Sequence, residues 1–218
     1  MLRPNWKGGT QFSVKDRDDW QILDTRSLFK NSYVEVFQEK VVPPGEHRVR
    51  TWTTVRRKKA VVIAPVTPEG NVVLIHQARI PIRKLLWEFP AGQVDDSMEP
   101  DMPLLKETAL RELTEETGYE LAPGGDLVFL GHYYTSQGYS DETPYLFLAR
   151  PVRKAVAGSN HDDSESIVEC REFSFAQLRE MIADHIIQDA NTLALYARLA
   201  AKGFVSFGGA LLATPGSE

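Results

Sequence analysis

The sequence contains a single cysteine, Cys170, so the chain cannot form an internal disulfide bond. A lone thiol fits the reducing cytosol better than a disulfide-stapled secreted scaffold. No apolar run approaches the roughly 18 residues that cross a bilayer, and the first twenty residues lack the apolar core of a secretory signal. We therefore expect a soluble, cytoplasmic protein with no membrane partner.

A surplus of basic residues is also missing. The chain has 25 Lys and Arg residues against 30 Asp and Glu residues, a formal net charge of -5. Nucleic-acid-binding proteins usually carry a basic face, so we expect no nucleic-acid partner, although a few local arginines can hold a nucleotide. The five histidines do not cluster at zinc-ligand spacing, and P-loop, G-x-S-x-G and C-x-x-C motifs are absent.

The chain of 218 residues is long enough for one large domain with a small appendage. Residues 1–20 are polar and predict an arm with little structure of its own. The runs "WQILDTRSLF", "SYVEVFQEKVV" and "RVRTWTTV" predict a small antiparallel β unit, which buries little apolar surface alone. We place an N-terminal arm and β unit at 1–56, a main domain at 57–203 and a C-terminal tail at 204–218.

The main domain mixes strand-like and helical segments. Strands are predicted over "AVVIAPV", over "NVVLIHQAR" and in "LLWEFPAGQV", where the strand ends at Pro90 and Gly92. Further strands are predicted over "DLVFLGHYY", "TPYLFLARPV" and "SIVECREFSF". Amphipathic helices are predicted over "AQLREMIADHII" and "DANTLALYARLAAKG". Such a mixture indicates a layered α/β or α+β domain.

The clearest helical pattern is "LLKETALRELTEETG". Leu105, Ala109 and Leu113 recur at the spacing of one buried helix face. Pro103 suits the first turn of a helix, and Gly118 suits the position just after its end. We expect this segment to be a helix that packs against a sheet.

Three glutamates crowd one side of this helix. Glu112 is a helical neighbour of both Glu115 and Glu116, and like charges at this spacing cost a few tenths of a kcal/mol per pair. A solvated acidic face, partly offset by Arg111 and Lys106, is one explanation. The other is a bound divalent cation, because Mg²⁺ prefers carboxylate oxygens and shares its remaining positions with water and phosphate.

The context of the helix favours the cation. The segment "PAG…ETALRELTEETGY" resembles the Nudix box, whose pattern is G-x5-E-x7-R-E-U-x-E-E-x-G-U with U apolar. The matching residues are Gly92, Arg111, Glu112, Leu113, Glu115, Glu116, Gly118 and Tyr119. The resemblance implies an α/β fold, a Nudix α/β/α sandwich with a mixed sheet plus the small N-terminal antiparallel β unit. It also implies Mg²⁺-dependent cleavage of a nucleoside diphosphate linked to another group, with Mn²⁺ as a substitute.

The sequence departs from the pattern at one point. Gly92 and Arg111 are 19 positions apart, whereas the pattern separates them by 14. The pattern glutamate would fall on Pro103, and Glu99 is the nearest substitute, so the role of Glu99 in the lengthened loop 93–103 is open.

Similarity outside the box narrows the family. Residues 20–200 resemble the branch of ADP-ribose and nucleoside-diphosphate-sugar pyrophosphatases, in which a small N-terminal domain is exchanged between subunits. The resemblance therefore implies a homodimer. The alternatives are hydrolysis of dinucleoside polyphosphates, a non-catalytic Nudix-fold nucleotide-binding regulator, and a plain α/β domain with an acidic helix.

The resemblance also assigns site residues. The implied metal ligands are the Ala91 carbonyl and the carboxylates of Glu112, Glu115 and Glu116. Catalysis is assigned to Glu142, on the loop "SQGYSDE", together with Glu115 and Arg111, and Glu115 is the second candidate for the base. Glu142 could instead be an ordinary acidic loop residue.

Substrate contacts are expected from Arg79, Gln77 and Tyr33. A guanidinium suits phosphate because it offers a rigid fork of donors, although Arg79 could be an ordinary surface residue at a strand end. Tyr33 and Phe29 could stack on a base from the N-terminal unit, or fill a core as strand aromatics usually do.

Specificity within the branch is less defined. Enzymes that prefer ADP-ribose usually carry S-P-G where this chain has Ser136, Gln137 and Gly138, which leaves other nucleoside diphosphate sugars open. Tyr133 and Tyr134 lie near a tyrosine of dinucleoside-polyphosphate enzymes, but two tyrosines at a strand end are more often packing residues.

Overall fold

The computed structural model describes residues 19–95, 99–156 and 166–206. These residues form ten strands and three helices. In chain order the elements are β1 (Gln21–Lys30), β2 (Val34–Val42), β3 (Arg50–Arg57), β4 (Ala60–Pro65), β5 (Asn71–Arg79), β6 (Lys84–Glu88), β7 (Ala91–Gln93), α1 (Met102–Thr117), β8 (Tyr119–His132), β9 (Pro144–Lys154), β10 (Ile167–Ser174), α2 (Phe175–Ala183) and α3 (Ala190–Ala201). None of the helices in these ranges has both the length and the apolar character needed to cross a bilayer.

The strands form three sheets. The first contains β1, β2 and β3, and the second contains β10, β5 and β6 in that order, both with antiparallel pairing. The third has the order β7-β4-β9-β8 and is mixed, because β4 and β9 run parallel while the outer pairs are antiparallel.

Strand β4 lies at the centre of the core and is buried on both faces. Val61 and Ile63 belong to an apolar cluster that includes the buried face of α1. Val62 and Ala64 belong to the opposite cluster, which includes residues of α2 and α3. Alternate residues of a strand point to opposite faces, so β4 joins two helical layers, and the predicted α/β sandwich with a mixed sheet is confirmed.

Helix α1 begins and ends as the sequence predicts. The Asp101 side chain accepts a hydrogen bond from Leu104 N, a proline lies in the first turn, and Gly118 closes the helix in the left-handed conformation at φ 71°. A left-handed residue costs little when it is glycine.

Two predicted strands have different limits in the structure. The strand predicted to end at Pro90 and Gly92 ends at Glu88, and Ala91–Gln93 forms a separate short strand, β7, in a different sheet. Strand β8 begins at Tyr119, before the predicted start at Asp126, with a register shift between Leu121 and Asp126.

The β1–β3 sheet exposes much apolar surface. Every residue of β1 is exposed, and Ile22, Leu23, Leu28 and Phe29 are about half exposed or more. A three-stranded sheet without a covered apolar face is marginal on its own. Of the predicted arm over residues 1–20, residues 1–18 lie outside the described residues.

The division into a β unit, a main domain and a tail stays a prediction. Phe204 and Val205, the first residues of the predicted tail, are buried in the core. Residues 207–218 lie outside the described residues.

Candidate functional site

The break between β6 and β7 builds one wall of the candidate site. Proline has no N–H for a sheet, and the neighbouring Phe89 N–H donates to Thr192 Oγ1 of α3 at 2.9 Å. The Pro90 carbonyl accepts from Ile63 N at 2.9 Å. The chain therefore crosses from one sheet to the other and presents Ala91 and Gly92 to α1.

Two glutamates of α1 meet this wall. Glu116 is 1% exposed, and its Oε2 accepts the Ala91 N–H at 2.7 Å. Glu112 is 4% exposed and lies directly over Gly92. A Cβ added to Gly92 would lie 1.9 Å from Cδ of Glu112, so only glycine leaves room for this carboxylate.

Arg111 forms ion pairs with both Glu112 and Glu115. Its Nη2 lies 2.6 Å from Glu112 Oε1 and its Nη1 lies 2.5 Å from Glu115 Oε2. Burial alone would lower the pKa of Arg111, but the two carboxylates outweigh burial and raise it. Glu115 lies nearer the rim, with 38% of its side chain exposed.

The site is a polar cavity of about 520 Å³. Its lining residues are Tyr33, Lys58, Gln77, Arg79, Ala91, Gly92, Gln93, Asp95, Arg111, Glu112 and Glu116. The side-chain oxygen of Gln77 is buried and has no hydrogen-bond partner among the described residues. A buried acceptor without a partner costs about 1–3 kcal/mol, which a ligand hydroxyl would offset.

Arg79 is held at the cavity by a buried carboxylate. Its Nε lies 2.9 Å from Glu88 Oε1, and its Nη2 pairs with Glu88 Oε2. Glu88 is 1% exposed, and burial raises its pKa even though the hydrogen bond from Arg79 opposes the shift. This ion pair fixes the direction of the guanidinium, whereas an unpaired arginine at a strand end would have no fixed direction.

Glu142 lies apart from the other predicted site residues. It is not among the residues that line the cavity. Its Oε2 accepts from Thr135 Oγ1 at 2.9 Å, and its Oε1 lies 3.2 Å from Arg57 Nε. Of the nine predicted site residues, the structure thus places Glu142 and the rim residue Glu115 outside the cavity lining.

The remaining candidates from the sequence differ in position. Tyr33 lines the cavity within its own chain, whereas Phe29 does not. Tyr133 donates to Asn191 Oδ1 at 2.6 Å and packs against the core, and burial raises its pKa. Tyr134 and Glu99 are exposed and do not line the cavity. Residues 96–98 of the lengthened loop lie outside the described residues.

Sequence reasoning missed three residues of the cavity lining, Lys58, Gln93 and Asp95, and also Glu88, which pairs with Arg79. Lys58 and Asp95 face each other at 2.6 Å on the cavity wall, and no local pattern marks them. Glu88 could have been found, because a carboxylate inside the apolar run "LLWEF" needs a buried partner.

Comparison with known proteins identifies the arrangement. The NUDIX domain model matches residues 56–196. The chain is 30% identical over 166 residues to the ADP-ribose pyrophosphatase of Bacillus subtilis, covering 76% of this chain and 84% of that protein. It is 31% identical over 158 residues to the GDP-mannose pyrophosphatase of Cronobacter sakazakii, covering 69% and 77%. A solved structure titled "Crystal structure of ADP compounds hydrolase" superposes with a TM-score of 0.67 at 18% identity, covering 84% and 92%.

Proposed function

The chain belongs to the NUDIX family of hydrolases that act on pyrophosphate bonds, and we propose that it cleaves ADP-ribose or a related nucleoside diphosphate sugar. The products would be a nucleoside monophosphate and a sugar phosphate. The observation that carries the proposal is the pair of buried carboxylates, Glu112 and Glu116, in a cavity that also contains Arg79. The names of the two relatives support a nucleotide-sugar substrate.

The donor set fits a hard divalent cation. Mg²⁺ typically takes one or two protein carboxylates and completes its shell with water and substrate phosphate. Among the described residues no three acidic, histidine or cysteine groups converge as a ready cluster, and two buried carboxylates suffice for this mode of binding. We assign Glu112 and Glu116 as ligands together with the predicted Glu115 and Ala91 carbonyl, and Mg²⁺ as the ion with Mn²⁺ as a substitute. When bound, the cation would neutralise phosphate charge and lower the pKa of a bound water.

The other residues of the cavity suit the substrate. Arg79 presents a fork of donors to the diphosphate, and its pairing with Glu88 orients that fork before substrate arrives. The Gln77 side-chain oxygen would accept a hydrogen bond from a hydroxyl group of the ribose or sugar. Tyr33 lies at the same cavity and would contact the base or ribose. Arg111 holds Glu112 and Glu115 in place against their mutual repulsion.

The bond change requires a base. A water oxygen forms a bond to one phosphorus, the bridging P–O bond breaks, and the leaving phosphate keeps the electron pair. The water proton passes to a carboxylate, which we assign to Glu142, with Glu115 as the second candidate. A base must lie within about 2.6–3.2 Å of the water it activates. Glu142 therefore has to approach the cavity when substrate binds, as loop residues of many enzymes do.

We also propose that the protein is a cytosolic homodimer in which the β1–β3 sheets pack across the interface. The support is the exposed apolar side chains of β1, among them Ile22, Leu23 and Phe29. Light scattering would test the oligomeric state, and a monomer at micromolar concentration would contradict this part of the proposal.

The deciding experiment is a phosphate-release assay. Purified protein would be given Mg²⁺ or Mn²⁺, a coupling phosphatase, and ADP-ribose, ADP-glucose, UDP-glucose, GDP-mannose or diadenosine polyphosphates. We expect ADP-ribose or another nucleotide sugar to be cleaved fastest. Preference for diadenosine polyphosphates would reject the substrate class. If no phosphate is released from any substrate, and Glu116→Gln is indistinguishable from the parent, the protein is a non-catalytic binding protein.

A further inference from the structure

The loop that carries Glu142 is bound to the N-terminal sheet of its own chain. The Val55 N–H donates to the Tyr139 carbonyl at 2.7 Å, and the Val55 carbonyl accepts from Asp141 N at 3.4 Å. Trp52 Nε1 donates to the Gly138 carbonyl at 3.0 Å. Strand β3 therefore holds this loop through the main-chain groups of the loop.

The last residue of β3 contacts both acidic residues of the loop. The Arg57 N–H donates to Asp141 Oδ1 at 2.9 Å, while Arg57 Nε lies 3.2 Å from Glu142 Oε1. Arg57 Nε is buried and makes no directed hydrogen bond to any residue that the structure describes. The contact with Glu142 is thus an ion pair whose N–H is not yet aimed at the carboxylate oxygen.

This ion pair lies beside the catalytic cavity. Lys58, the next residue in the chain, lines the cavity together with Tyr33. Arg57 itself lines a small adjoining pocket that shares both of these residues. Thr135 holds the second oxygen of Glu142 at 2.9 Å. The Glu142 carboxylate is therefore fixed on two sides, by Thr135 and by Arg57, whose chain neighbour Lys58 lines the cavity.

We propose that Arg57 is a positioning residue for Glu142, through which the N-terminal sheet sets the place of the catalytic base. The inference rests on the proposed role of Glu142 in hydrolysis. Arg57 does not touch substrate in this assignment. It holds the Glu142 carboxylate beside the end of β3, and the carboxylate approaches the attacking water from there when substrate binds.

The test is a double-mutant cycle measured by steady-state hydrolysis of the best substrate. Arg57→Ala is expected to lower kcat by about 10- to 100-fold, since a misplacement of about 1 Å can cost that much. KM should stay within about threefold, because the residues assigned to substrate binding are untouched. In a Glu142→Gln background, Arg57→Ala should change kcat by less than about twofold, since the carboxylate it positions is gone.

Two further variants separate positioning from folding. Arg57→Lys keeps the charge on a flexible stem and should recover part of kcat. Arg56→Ala is the matched control, because Arg56 lies 3.4 Å from Glu35 and 3.9 Å from Asp141, and in the described part of the chain it forms no ion pair with Glu142. It should keep near-parent kcat.

The experiment distinguishes failure of the Arg57 inference from failure of the proposed function. If Glu142→Gln loses activity while Arg57→Ala keeps parent kcat, the inference is overturned and the proposed function stands. Additive losses of kcat for Arg57→Ala and Glu142→Gln would also overturn the inference. A rise in kcat for Arg57→Ala would overturn it as well, because the ion pair would then be inhibitory. If Glu142→Gln keeps near-normal kcat, the base assignment itself fails and the inference fails with it.

Discussion

The carboxylate of Glu112 lies directly over the α-carbon of Gly92, where an added Cβ would be 1.9 Å from Cδ and 2.0 Å from Oε1. Atoms cannot approach this closely, so any side chain at position 92 must displace Glu112. Gly92 therefore leaves the space that the carboxylate of Glu112, twenty residues later in the chain, occupies.

Gly92→Ala should displace Glu112 and lower hydrolysis at limiting Mg²⁺ by about tenfold or more, because a displaced ligand weakens the metal site. The thermal midpoint should change little, since a flexible side-chain end can move away. Gly138→Ala is the steric control, because a Cβ there meets nothing within 4 Å among the described residues. Unchanged metal dependence in Gly92→Ala would contradict the assignment of Glu112.

Glu116→Gln should lower kcat/KM by about 100-fold or more, because the bound cation contributes several kcal/mol to the transition state. The glutamine oxygen can still accept the Ala91 N–H, so the fold should be kept. Differential scanning fluorimetry should show that added Mn²⁺ stabilises the parent but not the variant. Glu120→Gln, which breaks an exposed pair with Arg153, should behave as the parent in both assays.

Arg79→Ala should destabilise the protein more at pH 8 than at pH 5. Burial already raises the pKa of Glu88, and loss of Arg79 removes the contact that opposes this shift. A carboxyl whose pKa is higher in the folded state loses stability as the pH rises through the interval between the two values. We expect Arg79→Ala to lower the free energy of unfolding by about 1–3 kcal/mol at pH 8, and by less at pH 5. The value at pH 8 is below that for a fully buried ion pair because Arg79 is partly exposed.

Urea denaturation at the two pH values would measure this difference. Arg79→Ala with Glu88→Gln should recover part of the loss at pH 8. Arg153→Ala, which breaks an exposed pair, should cost less than about 1 kcal/mol at either pH. An equal loss for Arg79→Ala at both pH values would reject the role given to Glu88.

Cys170 should react slowly with a disulfide reagent in the native state. Burial raises the pKa of its thiol to about 11, so little thiolate is present at pH 8, and the thiolate is the reactive form. The chain has one cysteine, which makes the labelling rate specific to this site. The native rate should be about 100-fold below the rate in denaturant, and equal rates would show that the thiol is accessible.

Local sequence determined the helix and its acidic face. The spacing of Glu112, Glu115 and Glu116 places them on neighbouring turns whatever the tertiary structure, because the helical period is fixed by the backbone. The first-turn Pro103 and the left-handed Gly118 set the ends of the same helix. The same kind of short-range pattern indicated the buried strand β4 and a layered α/β or α+β domain, whereas the α/β/α sandwich was implied by the resemblance to the Nudix family.

Only the tertiary structure decided where these residues meet other parts of the chain. The Phe89 N–H finds its acceptor on Thr192, which lies 103 positions away, and the partners of Arg79 and Glu142 come from separate strands. The cavity edge at Tyr33 depends on how the N-terminal sheet packs. Periodicity reports the conformation of a segment, whereas these contacts depend on the relative placement of segments that the packed core fixes.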